Sequence, residues 1–237
     1  MQFSVKYLPT ALFSLKDSNS TNSGAKALFL PSPYAIKMAL LNQVITNGED
    51  IEKNLSGTKS TNFSYIRDIK ISFFIEFNSF FSINNSFVKI LKKKEDKRSK
   101  KAKEKGDIFE PGLQQTVAFR EYLFLSNPIE IIFEVTSENQ KIYLQKYLHK
   151  INYFGKRGSF FQFLEYLDSP NIANVKQFNI SDNPVGVLQE FDDFDEKTTF
   201  DNVSNFSSSN TKRIKKIFVL PLEKQSSSKS YTLFKSF

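Results

Sequence analysis

The feature that most constrains the fold of this chain is a block of positive charge near its middle. Residues 89–105 carry nine lysines and one arginine against three acidic residues, a net charge of +7 in a chain whose total is +8. Such a segment cannot enter a core, because burying unpaired charges costs more free energy than packing returns. The block must therefore project from whatever domain the flanking segments form.

Both flanks of this block have the composition of β-strands. The upstream flank runs through SINNSFVKILKKK, and the downstream flank is LQQTVAFREYLFL at 113–125. We expect a hairpin or insertion at 78–125 between a first half of the domain, 1–77, and a second half, 126–237. Lysine blocks of this kind either contact nucleic acid or serve as solvated, disordered loops.

The segments outside the hairpin alternate between strand and helix patterns. Strands are predicted at 2–7, 66–77, 129–135, 159–167, 212–222 and 231–237. Helices are predicted over 33–48 and 137–151, the second with Ser137 as its N-cap. Residues 52–62 are predicted to be a polar linker, and 168–212 receive no element. The order predicts an α+β fold with a ferredoxin-like, RNA-recognition-motif-like domain.

Several kinds of chemistry are excluded by composition. The chain has no cysteine, so disulfides, thiolate zinc sites and cysteine nucleophiles are excluded. His149 is the only histidine, which excludes a multi-histidine metal site. No cofactor is expected. Without an apolar run of membrane-spanning length or a signal peptide, we expect a cytoplasmic protein with no membrane partner.

The segment EFDDFDE, residues 190–196, groups several carboxylates. Grouped carboxylates are a ligand type that divalent cations prefer, but this segment lacks a regular ligand spacing and a supporting glycine. We expect a solvated face or an intramolecular partner for the lysines.

Two glycines enclose a Lys-Arg pair in the segment NYFGKRGSFF, residues 152–161. Because glycine has no Cβ, the backbone amides of Gly155–Gly158 could approach another molecule closely, with Lys156 and Arg157 directed at an anion. The alternative is an ordinary hairpin turn, in which the glycines supply positive φ angles and the cations lie in water.

Further candidate site residues lie within this loop and in other parts of the sequence. Tyr153 and Phe154 would either stack on a base or anchor the loop, and we favour the core for Phe154. Arg120, within FREYL, is either a phosphate or base ligand or an ion-pair partner of Glu121 or Glu134. Lys37 lies on the first predicted helix, where it either contacts RNA or belongs to a solvated face. Lys92, Lys93 and Lys94 begin the basic block.

Three segments, in this order, resemble CRISPR-associated family five. The first is SVKYLPTALFSLKDSNS with ALFLPSPYAIKMALLNQVI, a strand, a loop and a proline-rich helix entry. The second, TVAFREYLFLSNPIEIIFEV, resembles the family's REYL strand pair, and NYFGKRGSFFQF resembles its YFGKRGS glycine loop. Together they cover about a third of the chain.

The resemblance implies a fold, a function and partners. Members have a ferredoxin-like domain with a hairpin thumb, which the 78–125 excursion would supply. They cap the 5′ handle of CRISPR RNA in type I Cascade complexes used in antiviral defence. The backbone subunit, the large subunit and target DNA near the PAM-proximal end are the further partners. In this interpretation the site residues are those of the glycine loop, Tyr153, Arg120, Lys37 and Lys92–Lys94.

Three other functions remain open. Some family members are metal-independent ribonucleases that use a His, Lys and Tyr set, which here would draw on His149, Tyr147, Lys146 and Lys150. A lone histidine at a helix end is more often a dipole partner, so we expect no catalysis.

The second alternative is a general single-stranded RNA-binding module. RGSFFQF is one residue short of an RNA-recognition-motif signature, and this difference moves its aromatics to the other face of the strand. A structural adaptor that binds no RNA is the third possibility.

Overall fold

The computed structural model describes residues 1–21, 24–48, 51–54, 57–60, 62–93, 112–181, 183–204, 209 and 213–237. Lys94 and most of the basic block therefore lie outside the described residues. In chain order the elements are β1 (Gln2–Pro9), β2 (Leu15–Lys16), β3 (Gly24–Ala25), β4 (Ala27–Leu28), α1 (Pro33–Asn47), β5 (Ile51–Asn54), β6 (Gly57–Ser60), α2 (Phe63–Arg67), β7 (Lys70–Ile75), β8 (Phe80–Lys93), β9 (Leu113–Leu125), β10 (Ile129–Glu134), α3 (Glu138–Leu148), β11 (Phe161–Leu167), β12 (Lys176–Gln177), β13 (Val187–Phe194), α4 (Phe200–Val203), β14 (Arg213–Leu220), β15 (Leu222–Ser227) and β16 (Tyr231–Ser236). The fold is α+β, and its strand pairs are mostly antiparallel.

A four-stranded sheet with the order β11-β1-β10-β7 forms the centre of the molecule, and all its pairs are antiparallel. Phe3, Val5 and Tyr7 alternate along β1 and are fully buried on one face of this sheet. The hydroxyl of Tyr7 donates to the carbonyl oxygen of Leu148 at the end of α3, 2.7 Å away. This face of the sheet is therefore the one that packs against the helices.

The two long helices begin where the sequence predicts; α1 also ends there, whereas α3 ends at Leu148, three residues before the predicted end. The hydroxyl of Ser32 accepts from the amide of Ala35 at the start of α1, and Gly48 closes α1 with a φ of 75°. Ser137 caps α3 by accepting from the amide of Gln140, 3.2 Å away. Each cap satisfies amides or carbonyls that the helix itself leaves unpaired. None of the helices in the described ranges has the length and hydropathy needed to cross a bilayer.

Strands β8 and β9 form the predicted antiparallel pair. Their register runs from Phe81 opposite Leu125 to Lys93 opposite Leu113. They lie in a five-stranded sheet with the order β15-β16-β8-β9-β3, in which β3 pairs with β9 in parallel. The two flanks of the basic block thus pair with each other, and residues 89–93, the described start of that block, lie at the end of the pair farthest from the core.

A third sheet has the order β12-β14-β13. Strand β14 matches the strand predicted at 212–222, whereas β12 and β13 lie in the region 168–212, which received no element. Strand β13 contains the acidic segment, and its carboxylates face basic side chains. Glu190 pairs with Lys215 at 3.0 Å, and Asp192 pairs with Arg213 at 3.1 Å. Of the two alternatives left open for these carboxylates, a solvated face or intramolecular cationic partners, the structure shows the second for Glu190 and Asp192.

Two predicted boundaries are wrong. Residues 51–54 and 57–60, assigned to a polar linker, form the antiparallel pair β5–β6. The strand predicted to begin at 66 begins at Lys70, because Phe63 and Ile66 are buried at the i, i+3 spacing of the short helix α2. The remaining strand predictions, including the last strand, are confirmed within a few residues.

Candidate nucleic-acid interface

The glycine loop connects α3 to β11 as a tight hairpin. Tyr153 and Phe160 form an antiparallel bridge, and the amide of Ser159 donates to the carbonyl oxygen of Lys156 at 3.1 Å. Gly155 and Gly158 have φ angles of 64° and 103°, which residues with a Cβ rarely adopt. The turn geometry therefore explains why both positions are glycine, and it leaves open what the loop binds.

Phe154 anchors this hairpin in the core, as predicted. Its side chain is fully buried, and its ring lies 5.1 Å from those of Tyr7 and Phe161 between their centroids. On the other side of the turn, the hydroxyl of Ser159 accepts from the amide of Ser14 at 3.3 Å and donates to its carbonyl oxygen at 3.2 Å. These contacts hold the loop at both ends while Lys156 and Arg157 remain exposed.

The loop forms one wall of a cleft of about 390 Å³. The other walls come from strand β9 and from the segment that leads into β2. We call this site the basic cleft, and it is lined by Leu12, Ser14, Lys16, Arg120, Tyr122, Lys156, Arg157, Gly158 and Ser159. Three segments that are far apart in the sequence thus place four cationic side chains around one opening.

Strand alternation directs Arg120 and Tyr122 to the same side of β9. The guanidinium of Arg120 donates to the carbonyl oxygen of Phe119, with 2.6 Å between nitrogen and oxygen. Glu121 lies on the opposite face, where it accepts from the amide of Ala27 at 2.8 Å. Glu134, the other carboxylate considered for Arg120, pairs with Lys70 at 3.0 Å.

The basic cleft has no acidic residue among those that line it. Within the described ranges, the side chains of Lys156 and Arg157 make no ion pair. Clustered cations of this kind create a local positive potential that attracts anions. A guanidinium matches two oxygens of a phosphate group, a lysine ammonium supplies a point charge, and a tyrosine ring offers a surface for a base. The cleft is therefore suited to a short stretch of single-stranded nucleic acid.

Five lining residues were missed by the sequence predictions, of which Tyr122 and Lys16 carry a ring or a charge suited to nucleic acid. Tyr122 follows Arg120 by two residues, and the period of a strand would have placed both on one face. Lys16 carries no comparable signal, because only the pairing of β2 with β4 and the contacts of the Ser14 backbone bring it to the cleft.

Lys37 is a correction, because it lies neither on a solvated face nor at the cleft. Its side chain is 2% exposed, and its ammonium lies 2.7 Å from the carboxylate of Asp193. It also donates to the carbonyl oxygen of Arg67 at 2.9 Å. Burial lowers the pKa of Lys37, and the adjacent Asp193 carboxylate opposes that effect. The side chain holds α1 against β13, so it is unavailable to RNA.

Lys92 and Lys93 lie on β8 opposite Gln114 and Leu113, and both are exposed. Arg120 pairs with Ser86, six residues closer to the core, which at the rise of a β-strand is about 20 Å away. These two lysines are therefore not part of the basic cleft, and their role stays a prediction.

His149 caps the C-terminus of α3. Its Nδ1 atom lies 2.8 Å from the carbonyl oxygen of Gln145, and its amide donates to the hydroxyl of Tyr166 at 3.0 Å. Tyr147, the tyrosine considered with it, is fully buried. Burial raises the pKa of Tyr166 to about 12, so this hydroxyl stays protonated at neutral pH. These contacts match the helix-end interpretation of His149.

Two of the three aromatics of RGSFFQF lie on the helix side of the central sheet, and the third, Phe160, is 48% exposed in the glycine hairpin. Phe161 packs against Phe13 and Phe154, and Phe163 contacts Tyr7 on the helix side. The opposite side carries polar and charged residues instead: Lys6 pairs with Glu165 at 2.9 Å, and Ser4 and Glu130 are buried there. An RNA-recognition-motif surface, which stacks bases on aromatics of the exposed sheet face, is absent from this part of the structure.

No protein-family model matches the sequence, and neither does any curated protein. Among solved structures, a CRISPR protein from Archaeoglobus fulgidus aligns with 100% of this chain and 92% of its own, at 12% identity and a TM-score of 0.38. A chain of a CRISPR RNA-guided surveillance complex aligns with 92% of this chain and 88% of its own, at 11% identity and a TM-score of 0.41. A chain of the type III-B Cmr-beta complex bound to cognate target RNA covers 99% and 86%, at 10% identity and a TM-score of 0.38. At these scores we base neither fold nor function on the likeness.

Proposed function

We propose that this chain is a non-catalytic RNA-binding subunit of a CRISPR effector complex, in which it holds the 5′ handle of the guide RNA. The observation that carries the proposal is the basic cleft. Lys156, Arg157 and Arg120 were each singled out from the sequence, and the fold brings them together around one opening. The three segments that resemble CRISPR-associated family five supply all three of its walls.

The finer assignment is a ferredoxin-like domain with a hairpin thumb, in a type I Cascade complex. The strand order supports the ferredoxin-like domain in this assignment. The central sheet places the first, second, third and fourth strands of a βαββαβ chain in the order 4-1-3-2, with α1 and α3 after its first and third strands. The β8–β9 hairpin enters between the second and third of these strands, where the family's thumb is inserted.

In the proposed mechanism, Lys156, Arg157, Arg120 and Lys16 neutralise phosphates of the handle. The ring of Tyr122 stacks on a base, and the Gly158 position lets the backbone approach a phosphate without a side chain in the way. Since most of the affinity then comes from charge, binding weakens steeply as salt rises. The structural contacts of His149 and the burial of Tyr147 support a subunit that holds RNA without cutting it.

The partners proposed from the family resemblance are the CRISPR RNA, the backbone subunit and the large subunit. Target DNA near the PAM-proximal end is a further proposed contact.

The test is to purify the tagged chain from its native cells and to sequence the RNA that remains bound. Short guides with one common repeat-derived 5′ end are the expected result. The double variant Lys156→Glu/Arg157→Glu should lose most of this RNA. Two controls should retain it: Lys224→Glu/Lys229→Glu, which changes exposed lysines outside the cleft, and His149→Ala. Normal guide retention in the first variant would contradict the proposal.

A further inference from the structure

The β8–β9 hairpin has two faces of different character. Alternate residues of each strand point to opposite sides, and the register pairs odd positions of β8 with odd positions of β9. Arg120 and Tyr122 lie on the even side, which faces the basic cleft. Both sides carry apolar residues, but the most exposed ones, Phe87, Leu91, Leu113 and Val117, all lie on the odd side. The hairpin therefore offers two different surfaces.

At the base of the hairpin, the odd side is core. Phe81 and Leu123 are fully buried there, and Leu125 is 3% exposed. The same apolar pattern continues outward past the point where the core ends. We call this outer part the apolar hairpin face; its apolar residues are Phe87, Leu91, Leu113, Val117 and Phe119, and it also carries Lys89, Lys93 and Gln115.

The apolar hairpin face is exposed to an unusual extent. Phe87 is 74% exposed, Leu91 63%, and Leu113 and Val117 58% each. Phe87 lies opposite Phe119, with 5.7 Å between ring centroids, so the apolar groups are contiguous across the two strands. Patches of this kind on protein surfaces mark interaction sites or aggregation-prone regions.

We infer that the apolar hairpin face docks against a protein subunit whose surface presents apolar groups within an acidic rim. Lys89 and Lys93 lie among the apolar side chains on this face, and the segment from 89 to 105 carries a net charge of +7. Charge complementarity therefore requires an acidic partner, and the exposed side chains require one that buries aliphatic surface.

Two other occupants fit less well. Single-stranded RNA gains affinity by stacking bases on aromatic rings, but the rings of this face are confined to the Phe87–Phe119 pair, and Leu91, Leu113 and Val117 offer none. A second copy of this chain would bring two blocks of +7 together, and like charges in one interface cost affinity. An acidic protein surface avoids both difficulties.

The inference rests on the proposed function in one respect, that this chain is part of a larger complex. The apolar hairpin face lies on the side of the hairpin opposite the basic cleft. Failure of either can be recognised separately. The guide RNA in a purified complex reports on the basic cleft, whereas the neighbours of Val117 report on the apolar hairpin face.

The experiment places a benzophenone amino acid at Val117 in the tagged chain and irradiates the complex purified from native cells. A matched probe at Thr116, the next residue on the even side, is the control. We expect the Val117 probe to form an adduct with an acidic peptide of another polypeptide, and the Thr116 probe not to mark that peptide. An adduct with RNA, an adduct with a second copy of this chain, or no adduct in an intact complex would overturn the inference.

A second measurement guards against a misfolded probe variant. Phe87→Ser/Val117→Ser should lower the ratio of the cross-linked subunit to this chain by about tenfold after a salt wash, because exposed anchors of this size are the residues that dominate interfaces. Phe77→Ser, at a similarly exposed phenylalanine outside the hairpin, should leave the ratio unchanged. An unchanged ratio in the double variant, with circular dichroism matching the parent, would also overturn the inference.

Discussion

Lys156 and Lys37 are the same kind of residue in two opposite settings. Lys37 lies beneath the surface, 2.7 Å from Asp193, in a region where β13 and β14 also pair Asp192 with Arg213 and Glu190 with Lys215. Lys156 lies on an exposed turn and lines a cleft without a carboxylate. The presence of an acidic partner separates the cations that hold this fold together from those that remain available to a ligand.

The largest effect on stability should come from the residue that supports the cleft rather than from the cleft itself. Phe154→Ala removes a fully buried ring and leaves a cavity between Tyr7 and Phe161, which should lower the free energy of unfolding by about 4 kcal/mol. Urea unfolding measures this change. Phe160→Ala, at a residue 48% exposed on the same hairpin, should cost far less, and equal losses would contradict the anchoring role of Phe154.

Lys37→Met should lower the free energy of unfolding by about 3 kcal/mol, because it leaves Asp193 in a largely buried setting without its cation. Lys224→Met, at an exposed position on β15, is the control and should have little effect. The double variant Lys37→Met/Asp193→Leu should recover much of the loss, since both charges are then gone. A single variant as stable as the parent would show that Lys37 is not structural.

Gly158→Ala should lower the free energy of unfolding by about 2 kcal/mol, because alanine is strained at a φ of 103° although its Cβ meets no atom. Gly112→Ala is a matched control, since its Cβ would also lie in open space and its φ is not positive. Comparing the thermal unfolding of the two variants isolates the cost of backbone strain, because neither added Cβ contacts another atom. If both were equally stable, the turn would not require glycine at 158.

The smallest predicted effect is a change in the stability of the fold at acidic pH. Hydrogen bonds from Asn19 and then Lys215 lower the pKa of Glu190 below its ordinary value of 4.5. A lowered pKa in the folded state contributes stability above the ordinary value and loses it as the pH falls through the folded one. Glu190→Gln should therefore be slightly less stable than the parent at pH 7, by about 0.5 kcal/mol or less, and this gap should close below pH 4.5. A gap that widened in acid would contradict the assignment.

The elements that sequence could predict are those with local signals. Ser32, Gly48 and Ser137 mark helix ends through their own side chains or φ angles, and the alternation of β8 and β9 is visible without knowing their partners. The glycine loop belongs to this class, because its chemistry is set by four consecutive residues.

The elements that sequence could not predict depend on long-range contacts. Strand β13 carries carboxylates that look solvated until β14 supplies their cations. Lys37 resembles a solvated residue beside Ile36, because the second element that buries it comes 156 positions later in the chain. Lys16 reaches the basic cleft only through backbone contacts of its neighbours. Tertiary pairing decided each of these cases.

The central claim is that the basic cleft holds the 5′ handle of a guide RNA. Ultraviolet cross-linking of the complex purified from native cells, followed by mass spectrometry and sequencing, tests it most directly. The account predicts that the peptides containing Tyr122 and Lys156 are linked to nucleotides at the common 5′ end of the guide. Cross-links confined to Lys92 and Lys93, or spread along RNA of mixed sequence, would contradict it.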